Sequence, residues 1–313
     1  MSVNPAHISN GSAPGCLVLT GFVDLGLQVL DNVIMTRWKV LPREQCHGKR
    51  KPCHSCPIKL LTSLLGIRNF VVQYILQCSS SEELLKAHRV LLNKLNLVLV
   101  SVLKQEWPHN WPTFINEIIS ASRSSLSICE NNMIILRLLS EEVFDYSAEQ
   151  MTSAKTRNLK TTMCNEFSQI FQLCQEVLNS ANQPSLIKAT LETLLRFCNW
   201  IPLGYIFETP LIETLRTRFL EVPEFRNITL QCLTEIGGLQ IGGPTGQQPN
   251  YGEALIKMFT EVLTTISNII PLSMDLKATY PASNSRDQEF IQNLALFLCN
   301  FFGMHLPVSS QQL

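Results

Sequence analysis

Residues 94–119 read KLNLVLVSVLKQEWPHNWPTFINEII, and the rest of the chain is read outward from them. Leu91, Leu92, Leu95, Leu99, Val102 and Leu103 recur at steps of three and four, the spacing of one helix face. Leu97, Val98 and Val100 widen the apolar surface, so the helix is expected to be covered on more than one side. Trp107-Pro108 ends it, because proline disfavours the helical region for the preceding residue and lacks a backbone amide. Pro112 suits the first turn of a new helix, so Trp111-Pro112-Thr113-Phe114 is read as a helix start. Such a pair cannot bury its apolar surface alone. Similar helices follow to the end of the chain, which predicts an all-α solenoid of stacked antiparallel helix pairs.

Composition bounds what that array can do. Of 313 residues 45% are apolar, enough for a sizeable core, and 25 basic residues balance 25 acidic ones. A neutral balance lacks the footprint of a nucleic-acid binder, so the expected partners are proteins, with no direct nucleic acid. Five of the 11 cysteines, Cys164, Cys174, Cys198, Cys232 and Cys299, stand singly on apolar helix faces, where a reduced thiol acts as a small hydrophobe. Cysteines used this way fit a reducing compartment. Residues 16–30 are apolar, but no basic residue precedes them and Asp24 interrupts them, so they do not read as a signal peptide. Lys94 and Lys104 bracket the longest apolar run, which is too short to span a membrane.

Taken in order, residues 1–26 are expected to be a poorly ordered leader, and a first amphipathic helix begins at Leu27 and stops before Pro42. Helices are then expected over 66–77, from Ser79-Ser-Ser-Glu-Glu into Trp107, over 124–146, from a capping box at Ser147 to Ser180, and over 185–200 behind Pro184. The pairs 207–219 with 223–237, and 251–270 with 287–302, complete the array. Leu95, Leu99, Leu103, Trp107, Trp111, Phe114, Phe167, Phe171 and Trp200 are expected as core, and residues 237–250 as a loop.

Each feature that could carry chemistry has a plainer reading. Cys46, His47, Cys53, His54 and Cys56 are zinc-type ligands, but all lie within eleven residues and no second ligand pair exists elsewhere. No metal site is assigned. Glu141 and Glu142 are neighbours on a helix and point in different directions, so they are read as a solvated edge. Gly242, Gly243 and Gly246 lack the preceding strand and following Lys-Ser/Thr of a phosphate loop. The Met, Phe and Cys stripe from Met163 to Leu178 is core at helical spacing. No catalytic constellation is found, and neither an enzyme activity nor a cofactor is expected.

Longer stretches carry a resemblance. LQVLDNVIMTRWKVL (27–41), LVSVLKQEWPHNWPTFINEII (99–119), CENNMIILRLLSEEVFDYSAEQMT (129–152), MCNEFSQIFQLC (163–174), ATLETLLRFCNWIPLGYIFET (189–209) and TLQCLTEI (229–236) resemble the exportin-1 family of the importin-β (karyopherin) superfamily. The resemblance implies a HEAT-repeat nuclear export receptor, shuttling between nucleus and cytoplasm through nuclear pores. Its implied partners are Ran-GTP, cargo proteins with leucine-rich export signals, and nucleoporins, with no membrane. In the family, the stretch matching 41–46 runs almost directly into that matching 66–72. Residues 47–65 are therefore read as a foreign insertion, of the kind a retained intron produces, inside a solenoid spanning 27–302. Residues 303–313 are read as a divergent tail. The resemblance further implies that the export-signal groove lies in repeats without counterpart here, so the chain alone is expected not to bind an export peptide. No Ran-contacting or cargo-contacting residue is assigned. The competing reading is a freestanding HEAT scaffold for another protein.

Overall fold

The computed structural model describes residues 26, 28–30, 32–34, 36, 64–145, 152–241 and 251–306. No strand occurs among them, and the fold is all-α. The chain divides into two compact units, Met1–Trp111 and Pro112–Leu313. Most of the stretch read as an insertion, and all of the leader but Gly26, fall outside the described residues.

In the first unit, α1 (Leu64–Cys78) packs on α3 (Arg89–Glu106), with the short α2 (Glu82–Ala87) between them in sequence. Ser81 caps α2, its hydroxyl accepting from the Leu84 amide at 3.3 Å, and Glu82 and Glu83 fill the first turn. The sequence predicts one helix from here into Trp107. Instead His88 interrupts it at φ −103°, ψ 16°, while still accepting from the Leu92 amide at 2.8 Å, so the break is a one-residue kink. On α3, Leu92, Leu95, Val98, Leu99, Val100, Val102 and Leu103 are buried, whereas Leu97 stays half-exposed. Trp107 ends α3 in extended geometry, ψ 142°, as a residue before proline must, and is buried. Trp111 is buried with the Arg68 guanidinium 4.6 Å over its ring. Among residues 26–36, Ile34 is fully buried.

The second unit stacks helices in series. It begins with α4 (Phe114–Ser124) and α5 (Leu126–Ser140), two helices joined at Ser125. Pro112 precedes the first helical residue by two positions rather than sitting in the first turn as predicted. Asn132, buried on α5, donates to Ile118 O at 3.2 Å and Ser122 Oγ at 3.0 Å, tying the pair together. A single π turn, Glu141–Asp145, ends α5. Then follow α6 (Ser153–Ser180), capped by Thr152, and α7 (Pro184–Phe197) with proline in its first turn. The capping box expected at Ser147 lies outside the described residues. The predicted 207–219 helix is two pieces, α8 (Leu203–Phe207) and α9 (Leu211–Thr214) running into a π turn, Leu215–Phe219, because Pro210 breaks the ladder between them. The remaining helices are α10 (Arg226–Gly237), α11 (Gly252–Ile269), α12 (Leu276–Ala282), which periodicity did not predict, and α13 (Ser285–His305).

Within this unit α5, α7, α10 and α13 form a row, each packing on the next. α4 and α6 pack on each other in a second layer, against α5 and α7 respectively, and α11 lies over α10 and α13. Between the layers is an aromatic centre at Phe167. Its ring stands 5.3 Å from Phe197, 5.1 Å from Trp200, 5.0 Å from Tyr205 and 5.8 Å from Phe171, three of the four edge-on. This is the arrangement of a helical-repeat solenoid, in which each pair buries its apolar face on the next.

Candidate protein-interaction surface

The open side of the row is where the unit presents polar side chains in register. Ser185 on α7 donates to Glu130 on α5 at 2.6 Å, Arg137 pairs with Glu192, and Arg196 Nε donates to Glu141 Oε1 at 2.9 Å. All three pairs are 55 residues apart, because one turn of α5 meets the corresponding turn of α7. Between α10 and α13, Arg226 pairs with Asp287, and Gln231 approaches Asn293 at 3.4 Å. Asn227 Nδ2 donates to Glu289 Oε2 at 2.8 Å and to Arg286 O at 3.1 Å. The side-chain pairs among these are 61 or 62 residues apart, and the bond to Arg286 O spans 59. The far ends of the helices are also tied. Trp200 Nε1 donates to Ser140 Oγ at 2.8 Å, Asn300 Nδ2 donates to Thr234 O at 2.9 Å, where the Gly238 amide also donates, and His305 Nε2 lies 2.8 Å from Gly237 O at the end of α10. The rungs hold neighbouring repeats in one register and leave charged heads of both signs on the surface.

A cleft of about 490 Å³ opens on this face where α7, α10 and α13 meet, within the size range of ligand sites. Lys188, Glu192, Asn227, Gln231 and Arg286 line it, with Ile228 among them. A smaller hollow of about 120 Å³ is lined by Ile269, Ile270, Met274, Phe290 and Ile291 on one side and by the Arg226–Asp287 pair, Thr279 and Ser283 on the other.

Electrostatics follow burial. Glu235 on α10 has its carboxyl pushed up by desolvation, which outweighs the lowering effect of Arg196. Glu176 is lowered by the hydrogen bonds Arg123 makes to both its oxygens, 2.8 and 3.0 Å, at the outer edge of α4 and α6. Burial pushes the Cys129 thiol up to about 11 and Cys198 up to about 12, and raises Cys174 and Cys232 as well. These thiols are inert core groups. Cys299 is exposed and Cys164 only partly covered, unlike the buried positions expected from their helix faces.

The residues singled out from sequence fall as follows. Leu95, Leu99, Leu103, Trp107 and Trp111 are buried in the first unit, and Phe114, Phe167 and Phe171 in the second. Trp200 is only half-buried, because its indole lies flat on Phe144, 4.2 Å away at 6°, at the edge of the aromatic centre. Glu141 is not a solvated edge residue. Its side chain is 19% exposed and held by Arg196. Cys46, His47, Cys53, His54, Cys56, Gly242, Gly243 and Gly246 lie outside the described residues. Among the described residues no group of three or more His, Cys, Asp or Glu is placed to hold a metal ion, and no helix is long and apolar enough to cross a membrane. The polar rungs were missed from the sequence, although the 55-residue spacing of Glu130/Ser185, Arg137/Glu192 and Glu141/Arg196 was there to be found.

Residues 88–233 match the family model described as exportin 1-like protein. Exportin-1 of Schizosaccharomyces pombe is 54% identical over 282 residues, 90% of this chain and 24% of the relative. Exportin-1 of Drosophila melanogaster is 47% identical over 89% of the chain and 24% of the relative. For exportin-1 of Dictyostelium discoideum the values are 43%, 95% and 26%. The chain thus spans about a quarter of the length of the curated relatives it matches. Identity at this level over nine-tenths of the chain, on a stack of helix pairs, makes it a HEAT-repeat homologue of exportin-1, equivalent to about a quarter of that protein.

Proposed function

We propose that this chain is a segment of a nuclear export receptor that carries proteins out of the nucleus together with Ran in its GTP form. The observation that carries the reading is the 54% identity to Schizosaccharomyces pombe exportin-1 across 90% of the chain. Ran-GTP, export-signal cargo and nucleoporins are the partners this reading brings, and nucleus and cytoplasm the compartments. The physical basis on this chain is a rigid row of helices with a charged, patterned face, the kind of surface by which solenoids hold folded proteins. An export peptide is amphipathic and needs an apolar groove for its spaced anchors. The row face, lined by ion pairs and amides, is not such a groove.

The test is a chimera in which this chain replaces the matched span of fission-yeast exportin-1, read by the distribution of a fluorescent reporter bearing a leucine-rich export signal. Export to the cytoplasm is expected. Nuclear accumulation of the reporter, with the chimera present at normal level, would overturn the proposal. For the isolated chain, fluorescence anisotropy with a labelled export peptide is expected to show no binding with or without Ran-GTP. Micromolar binding competed by unlabelled peptide would overturn the view that the groove lies elsewhere.

A further inference from the structure

We draw no further inference here: the strongest candidate, the exposed apolar face of α13 at Leu296, Cys299, Phe302 and Leu306, carries nothing, because nothing in the structure shows what covers it.

Discussion

Phe167→Ala tests the claim that one aromatic centre holds the two layers of the second unit together. The Phe167 side chain is fully buried, and rings of Phe197, Trp200 and Tyr205 meet it edge-on at 5.3, 5.1 and 5.0 Å. Truncating a buried phenylalanine costs roughly 3 to 5 kcal/mol through lost transfer energy and the cavity left behind. Edge-to-face pairs add about 0.5 to 1.5 kcal/mol each beyond buried area, and they share one ring, so they do not simply sum. The upper half of the range, about 4 to 5 kcal/mol, is therefore expected. At about 2 to 4 °C per kcal/mol for a unit of this size, the melting point should fall by roughly 8 to 20 °C. Urea titration followed by circular dichroism measures the loss, and hydrogen exchange should locate it in α6 and α7. Phe167→Leu refills most of the volume and should cost under about 1.5 kcal/mol. If Phe167→Ala changes the midpoint no more than Phe302→Ala, whose ring is 43% exposed, the aromatic centre does not hold the layers.

Trp107→Ala should destabilise the first unit by roughly 3 to 5 kcal/mol, since its indole is buried at the end of α3, and an unchanged urea midpoint would refute that packing. The buried thiols predict an alkaline loss of stability. Their pKa values are raised above the usual 9.0, so the contribution is fully present below pH 9 and lost as pH rises through about 11 for Cys129 and about 12 for Cys198. Urea midpoints at pH 8 and 10.5 should differ in the parent and differ less in Cys129→Ala. Gly238→Ala would put a Cβ 2.4 Å from Asn300 Nδ2 and displace the bond that nitrogen makes to Thr234 O, so a loss of about 1 kcal/mol is expected by thermal melt. Asn300→Ala should make that substitution nearly harmless.

The predicted stop of the last helix at residue 302 needs revising, and its aromatic residues divide between covered and exposed. In the structure Phe297 and Phe301 are buried, with Phe259 of α11 at 5.4 and 3.8 Å, and the exposed apolar groups are Leu296, Phe302, Met304 and Leu306. α13 also continues to His305, three residues beyond the predicted stop, because the His305 ring reaches Gly237 O and holds the last turn down.

What the sequence by itself determined is whatever depends on near neighbours in the chain. The three-and-four spacing of Leu92, Leu95, Leu99 and Leu103, the caps at Ser81 and Pro184, and the stop at Trp107-Pro108 act within one or two turns, so helix existence and the all-α class were legible. The resemblance was legible for the same reason, being written in contiguous residues. The kink at His88, the split at Pro210 and the short α12 were less so, since a weak local signal is settled by what the segment packs on. Only the tertiary structure decided which stripes face each other: Glu141 reads as an exposed acid until Arg196, 55 residues away, is brought against it. The cleft at Lys188, Asn227 and Arg286 is a still more distant product. Its groups come from three helices spread over about a hundred residues, and no local pattern records that the stacking leaves them facing one hollow.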